Sequence, residues 1–401
     1  MLGLVSLLND TASEMAAPLL PLFLTQSLGA GALAVGWIEG AADAASSLLK
    51  LLAGRASDRL GRHKPFLLAG YFLACGVRPL YAFTQHAGQV LAIRVTDRIG
   101  KGVRTSPRDA LLARSVPPRR RGAAFGVHRG MDHAGAVLGP LLAAALLTFH
   151  SEDLRRLFLL TAVPGGIALL VLLFGVTEPP RPTGEAARRA RAEDEAAEAR
   201  RRPSPAVLAA GSEDAALVRF LLPLGLFTLG NASDAFLLLL AAGRGASFVQ
   251  VALMWSALHV VRATTTLPGG LLADRFGARR VIAVGWLVYA LVYTGFAFAP
   301  NRLAVVALFL FYGVYTGLTD APERAFVSRL TARARQGTAF GWFHLTLGTL
   351  TLAASVLFGT LWQTFGPRTA FLTSAVLALV ASGLLLRERA EDHHLMDGTA
   401  A

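Results

Sequence analysis

Charged side chains recur inside stretches that are otherwise apolar. Residues 32–56 hold Glu39, Asp43, Ser46 and Lys50 at helical spacings, so that all four share one stripe running into Gly54. Residues 88–112 stack Arg94, Arg98, Lys101, Thr105 and Arg108 on another stripe, with Asp97 one turn from Lys101. Asp10, Glu14, Arg78, His128, Arg129, Asp132 and His133 complete a set confined to the first half of the chain. The second half offers fewer: Asp234, His259, Arg262, Asp320, Glu323, Arg324 and His344. Such groups are costly in lipid and must face a partner or a wet cavity. In one reading the acids and bases neutralise each other as a buried network that holds a helix bundle together. In the other, some carboxyls exchange protons, for which Glu14, Glu39, Asp43 and Asp132 are the best placed. Arg94, Arg98 and Lys101 would then take an anionic or carboxylate-bearing solute, or partner Asp97. Both readings can hold for different residues. His128 and Asp132 are four apart, a spacing that can hold a metal, but hydrogen-bonded or proton-relay histidines fit the run better, and neither metal nor cofactor is assigned.

The elements that position these groups must be membrane helices. The chain is 54% hydrophobic and 16% charged with a mean hydropathy of +0.50, too apolar for a soluble domain of 401 residues. A hydrocarbon core of ~30 Å needs about 20 mostly apolar residues per helix. Such stretches are predicted at 2–26, 32–56, 65–84, 88–112, 123–149, 153–176, 215–241, 246–272, 280–299, 302–327, 338–365 and 367–387. Lipid satisfies no free N–H or C=O, and strand-length alternation is absent, so the spans are helices and the protein is all-α.

The surplus of 39 Lys+Arg over 26 Asp+Glu would suit nucleic acid, but its placement argues otherwise. It concentrates in alternate loops, at Arg59, Arg62 and Lys64, then Arg114 and Arg119 to Arg121, then 181–202, then Arg275, Arg279 and Arg280, then Arg329, Arg333 and Arg335. That is the positive-inside pattern of a multi-pass inner-membrane protein with both termini cytoplasmic, and no nucleic-acid partner is needed. The single cysteine, Cys75, lies within a span, which rules out an internal disulfide. The chain opens into its first span with no basic n-region or cleavage site, so no cleavable signal is expected.

From Thr177 to Asp214 the apolar pattern breaks into a Pro-flanked, charged, Ala-rich run. This reads as a cytoplasmic linker, either helical along the membrane surface or a solvated tether. The expected units are a bundle over 1–176, the linker 177–214, a bundle over 215–387 and a cytoplasmic tail over 388–401. A long repeat relates the bundles. Gly54, Asp58, Arg59 and Gly61 recur 216 residues later as Gly270, Asp274, Arg275 and Gly277. Gly102 and Pro107 match Gly317 and Pro322 at a shift of 215, as do Gly122, Ala124, Phe125 and Gly126 with Gly337, Ala339, Phe340 and Gly341. The same orientation in each half makes these parallel repeats about an axis along the membrane normal.

With these motifs the chain resembles the major facilitator superfamily over nearly its whole length. The run Gly54-x3-Asp58-Arg59-x-Gly61-Arg62-x-Lys64 has the family's loop pattern between spans two and three. The resemblance implies a cytoplasmic latch between the halves, Asp58 against the start of span eleven, with Arg62 and Asp109 completing the charge set. Ala278 stands where Arg62 would recur, a departure in the second copy. Span five carries Gly126-x8-Gly135-x3-Gly139-Pro140, similar to drug:proton antiporters of the superfamily, with Ala143-Ala144 in place of the usual closing glycines. Small residues there let backbones approach, and Pro140 can bend the helix. Pro18-x2-Pro21 fits the same group. Arg94 matches the fourth-helix arginine, with Arg98 where a glycine is usual.

The resemblance and the intramembrane charges together point to a secondary transporter, a monomer working with protons, the lipid bilayer and a small-molecule substrate that is polar or ionisable. Efflux by antiport is the favoured direction. Uptake of a metabolite, metal chelate or organic anion is the alternative within that class. Outside it stand a lipid-flipping protein and an intramembrane enzyme, but the sequence holds no H-E-x-x-H, G-x-S-x-G or Walker pattern, so neither enzyme nor ATP-driven pump is expected.

Overall fold

The computed structural model describes residues 1–116, 121–149, 153–178, 210–330 and 336–397, all helical or in short connections among those residues. Twelve spans succeed one another in chain order. The first half comprises α1 (Leu2–Ala16, continued by Leu20–Leu22 and a π-turn over Phe23–Ser27), α2 (Ala32–Leu60), α3 (Lys64–Val77, continued as a 3-10 turn over Arg78–Phe83), α4 (Ala87–Arg114), α5 (Arg121–Phe149) and α6 (Leu154–Leu160 and Ala162–Gly175). The second comprises α7 (Ala210–Gly230, then Ala235–Gly243), α8 (Phe248–Phe276), α9 (Ala278–Phe298), α10 (Arg302–Leu330), α11 (Gln336–Phe365) and α12 (Pro367–Asp397). The spans expected from sequence agree with these to within a few residues at most ends. The exceptions are α1 and α7, which are broken, and α12, which runs ten residues past 387, so that the expected tail begins inside a helix. Pro18 and Pro21 lack the N–H an uninterrupted α1 would need. Residues 179–209, the bulk of the expected linker, lie outside the described residues.

Eight helices are long and apolar enough to cross a membrane by length and composition alone. The four that fall short are α1, α2, α4 and α8. The first is divided at its prolines, and the others carry the ionisable residues that face inward. The interior is lined by these four together with α5, α7, α10 and α11, which are apolar enough to qualify even so.

The halves repeat one another in packing as in sequence. Helix α2 crosses α4 as α8 crosses α10, and α3 packs on α4 as α9 packs on α10. A close approach recurs too, since a methyl on Gly102 would stand 2.7 Å from the Ser46 backbone oxygen, and one on Gly317 would stand 2.7 Å from the Thr265 carbonyl carbon. Only glycine allows those crossings. Two seams join the halves, α2 against α11 and α5 against α8. Both are closed toward one end of the molecule. There Gly40 meets Leu352, Gly359 meets Ala32, and Leu20–Leu22 packs on Ala235–Gly243, so that the two broken helices seal that end with apolar side chains.

Local caps fix the loops at the other end, which carries the described basic connections. Gly61 ends α2 at φ +60°, a left-handed position glycine adopts without strain, and Gly277 ends α8 at φ +89°. Glu178, just past α6, accepts from the backbone N–H of His63 at 2.7 Å and of Lys64 at 3.2 Å. It thereby caps the start of α3.

Candidate functional site

A cavity of about 1480 Å³ lies between the two halves. It runs from Glu14 and Trp255, beneath the sealed end, to Gly54, Arg55, Asp109 and Arg324 at the basic end. Near that end Gly341, on the cavity wall, has no neighbour within 4 Å of a Cβ position, so α11 stands clear of the first half there. Arg and Lys outnumber Asp and Glu on its wall.

Most first-half charges are paired. Arg78, on the 3-10 turn of α3, holds Asp97 at 2.8 Å and donates to the carbonyl and side-chain oxygens of Asn9 at 3.2 and 3.0 Å. Asp97 thus turns away from Lys101, its neighbour along α4, because the tightened backbone at Arg78 brings a guanidinium within reach. Glu39 meets Arg94 at 2.8 Å with both side chains 6% exposed. Arg98 lies 3.7 Å from Asp43, whose side chain is 44% exposed to the cavity. Asp132 is a hub, with Arg129 at 3.5 Å, His128 at 3.7 Å and Arg108 at 3.8 Å. Buried His128 also meets Ser6 at 3.4 Å, and Arg108 donates to the same hydroxyl at 3.0 Å. The structure therefore brings Arg78, Asp97, Glu39, Arg94, His128, Arg129 and Asp132 into ion-pair networks. Among the described residues no three His, Cys, Asp or Glu side chains converge as a metal site.

Others of the expected groups stand apart. Asp10 accepts from its neighbour Asn9 at 2.9 Å, with no cation within ion-pair distance among the described residues. Lys50 and Lys101 likewise have no carboxylate within 4.0 Å among the described residues. Glu14 reaches across the molecule, accepting from the Trp255 indole N–H at 2.8 Å, with His259 Nε2 at 4.0 Å. In the second half Asp234 joins Arg262 and accepts from the Tyr312 hydroxyl, each at 2.6 Å. Arg262 lies 5.9 Å from the Trp255 ring centre and 5.7 Å from that of Tyr312. Behind them, Phe227 stacks on Trp286 at 4.7 Å and Tyr289 on Tyr293 at 3.9 Å.

Trp255 and Tyr312 were not among the residues singled out from sequence. The repeat would have pointed to them, because Trp255 follows Glu39 by 216 positions and Tyr312 follows Asp97 by 215. Arg104, 4.6 Å from the Tyr71 ring centre, carried no such signal, whereas Glu323, one of the second-half charges expected from sequence, is buried and accepts from Trp286 Nε1 at 3.3 Å.

The motif residues divide. Gly54 packs against Ser106 within its own half, and Asp109 pairs with its neighbour Arg108 at 3.1 Å. Arg59, in the last turn of α2, and Arg62, on the loop that Gly61 turns, are exposed. The Asp58 side chain and the residues 331–335 before α11 lie outside the described residues. In the second copy Asp274 pairs with Arg329 at 2.9 Å, on the same half, and Arg275 lies 5.2 Å from the Phe276 ring centre. On α5, a methyl at Gly135 would stand 2.5 Å from the Leu7 oxygen, and one at Gly139 would stand 2.6 Å from the Thr11 oxygen. Those two are packing positions against α1. Gly126 is not, since a methyl there would meet nothing within 4 Å, and α5 continues through Pro140 without a break.

A sequence profile of the Major Facilitator Superfamily matches residues 2–261 and 215–397. An uncharacterized MFS-type transporter of Methanocaldococcus jannaschii is 31% identical over 395 residues, covering 96% of this chain and 93% of that protein. The multidrug resistance protein MdtH of Aeromonas hydrophila is 29% identical over 151 residues, 38% of each chain. Among solved structures, a POT family transporter in complex with 5-aminolevulinic acid superposes with a TM-score of 0.77 at 14% identity, covering 96% of this chain and 94% of the other. That likeness is one of fold.

Proposed function

The chain belongs to the major facilitator superfamily, and from that premise we propose that it is a proton-coupled secondary transporter of a small polar or ionisable organic solute. One observation carries the reading: a cavity lined by titratable groups of both halves, sealed at one end and parted at the other. The positive-inside pattern puts the basic end and both termini in the cytoplasm, so this conformation is inward-facing. The bundles 1–176 and 215–387 rock about the seams, and exposing the cavity to the far side requires breaking the α2–α11 and α5–α8 contacts at the sealed end.

Glu14 is the best-placed coupling carboxylate. It is the described cavity acid whose partners, Trp255 and His259, both belong to the opposite half. Protonating it removes the charge that strengthens the Trp255 bond, so its proton and the sealed end are linked. Asp43 is second, being open to the cavity and loosely held. Glu39, locked to Arg94, belongs to the structural network. The similarity to a multidrug resistance protein, over the segment it covers, favours export.

The test is uptake and exchange in vesicles holding the purified protein. A pH gradient should drive solute accumulation in the wild type. Glu14→Gln should lose driven transport yet keep exchange at equal pH, because exchange requires only that the loaded site rock. Driven transport that survives in well-folded Glu14→Gln and Asp43→Asn proteins, or that ignores the pH gradient, would overturn the coupling.

A further inference from the structure

A second, smaller pocket of about 200 Å³ opens beside the cavity where α2, α4 and α11 meet. Lys50 and Lys101 line it together with Asp43, Ser46, Ser47 and Thr351. At about 30 Å³ per water, it has room for roughly six or seven waters, or for one carboxylate or phosphate group with its remaining shell.

Composition makes the pair of lysines informative. The chain has 39 basic residues, of which only Lys50, Lys64 and Lys101 are lysine, and two of the three converge on this pocket. A guanidinium is a rigid planar fork, whereas an ammonium is a compact point charge on a flexible stem that can close on a ligand from several directions. The deeper cations Arg78 and Arg94 each hold a carboxylate at 2.8 Å. The two lysines hold none among the described residues, and Asp43, the acid of this pocket, is drawn toward Arg98 at 3.7 Å. Two intramembrane cations thus face one small space whose single carboxylate, Asp43, lies in ion-pair reach of Arg98 and of neither lysine, and the surplus positive charge favours an incoming negative one.

We propose that this pocket is the anion subsite of the transported solute, taking a carboxylate or phosphate head between Lys50 and Lys101. The inference rests on the transporter reading and adds the class of substrate, an organic anion. Because Leu347, Gly348 and Thr351 of the second half form its far wall, a head bound there bears on the α2–α11 seam. The seam is tight at that point, with a methyl on Gly348 standing 2.5 Å from Ser47 Cβ. Occupancy and rocking are thereby joined in one contact.

Three lysines allow a direct test by amine acylation of the full chain in nanodiscs, read by mass spectrometry at each lysine. The probes are phenyl phosphate and benzoate, with benzylammonium as the control of opposite charge, at constant ionic strength. At about ten times its dissociation constant, a bound anion should slow acylation of Lys50 and Lys101 about tenfold while leaving Lys64, the first residue of α3, unchanged. Lys50→Gln and Lys101→Gln should each weaken the protection at the remaining lysine. Since the wild type alone suffices, misfolding of either variant leaves the test intact. No protection, equal protection at Lys64, or protection by benzylammonium would overturn the subsite. So would protection seen only in discs of anionic lipid and not with soluble anions, which would make the ligand a lipid headgroup. None of these outcomes depends on transport, so a failed vesicle assay and a failed labelling assay are separate results.

Discussion

The two halves share a fold and a repeat, yet they are built from different chemistry at corresponding positions. Where α4 carries Arg94, Asp97, Arg98 and Lys101, the repeat places Phe309, Tyr312, Gly313 and Thr316 on α10. Where α2 carries Glu39, Asp43 and Lys50, α8 carries Trp255, His259 and Thr266. The first half is held internally by ion pairs such as Arg78–Asp97 and Glu39–Arg94, the second by the stacked rings of Phe227, Trp286, Tyr289 and Tyr293, with Asp234–Arg262 as its cavity pair and Asp274–Arg329 exposed at the basic end. At the end of the same helices the charges invert, with Arg108 and Asp109 answered by Glu323 and Arg324. A duplicated scaffold therefore fixes backbone crossings, seen at Gly102 and Gly317, while leaving the facing side chains free to diverge into an ionic wall and an aromatic one. On the cavity itself the second half presents Trp255, Tyr312 and Tyr315 beside Asp234 and Arg262, opposite the more densely charged wall of the first.

The largest effect should come from breaking a first-half pair. Glu39→Gln leaves Arg94 buried without its counter-charge, which should lower stability by about 3–5 kcal/mol in detergent unfolding experiments. Replacing both partners with apolar residues, Glu39→Leu with Arg94→Met, should recover most of that loss, because a buried pair offsets its own desolvation only partly. If the single change were as mild as the double, the ionic wall would not be structural.

Asp234→Asn tests the second half. The Asp234 side chain is 21% exposed toward the cavity, and Arg262 keeps its ring contacts when the charge goes. The loss should be about 1–2 kcal/mol, clearly below that of Glu39→Gln, since water screens a partly exposed pair. Equal losses would erase the contrast between the halves.

The smallest effect concerns the loop after α2. Glu178→Ala removes the cap on the start of α3 and should cost about 1 kcal/mol. It should also speed hydrogen exchange at His63 and Lys64 without changing the rest of the bundle. An unchanged exchange rate at those two amides would show that the cap does not hold.

Span positions were legible in the sequence because lipid forces long apolar runs into helices, and the ionisable stripes of α2 and α4 were legible from helical periodicity. The partners were not. Arg78 reaching Asp97, or Glu39 reaching Arg94, depends on how each helix is rotated against the next, and a 3-10 turn at Arg78 sets one of those rotations. The Glu14–Trp255 contact lies between residues 241 positions apart across a seam, so only the packed halves reveal it. Gly126 and Gly139 belong to one motif and read alike, yet one faces open space and the other packs on α1, a difference that depends on where α1 runs against α5.

If the two halves rock, the sealed and parted ends must exchange roles. Electron–electron distance measurements on spin-label pairs in a Cys75→Ala background read that exchange at both ends. One pair, Leu52 with Trp342, reports the basic end, and the other, Gln26 with Phe365, reports the sealed end. Shifting the pH, or substituting Glu14→Gln, should shorten the first distance as it lengthens the second, giving two populations that vary in opposite senses. Distances that stay fixed under both conditions, or that lengthen together at both ends, would contradict alternating access through this cavity.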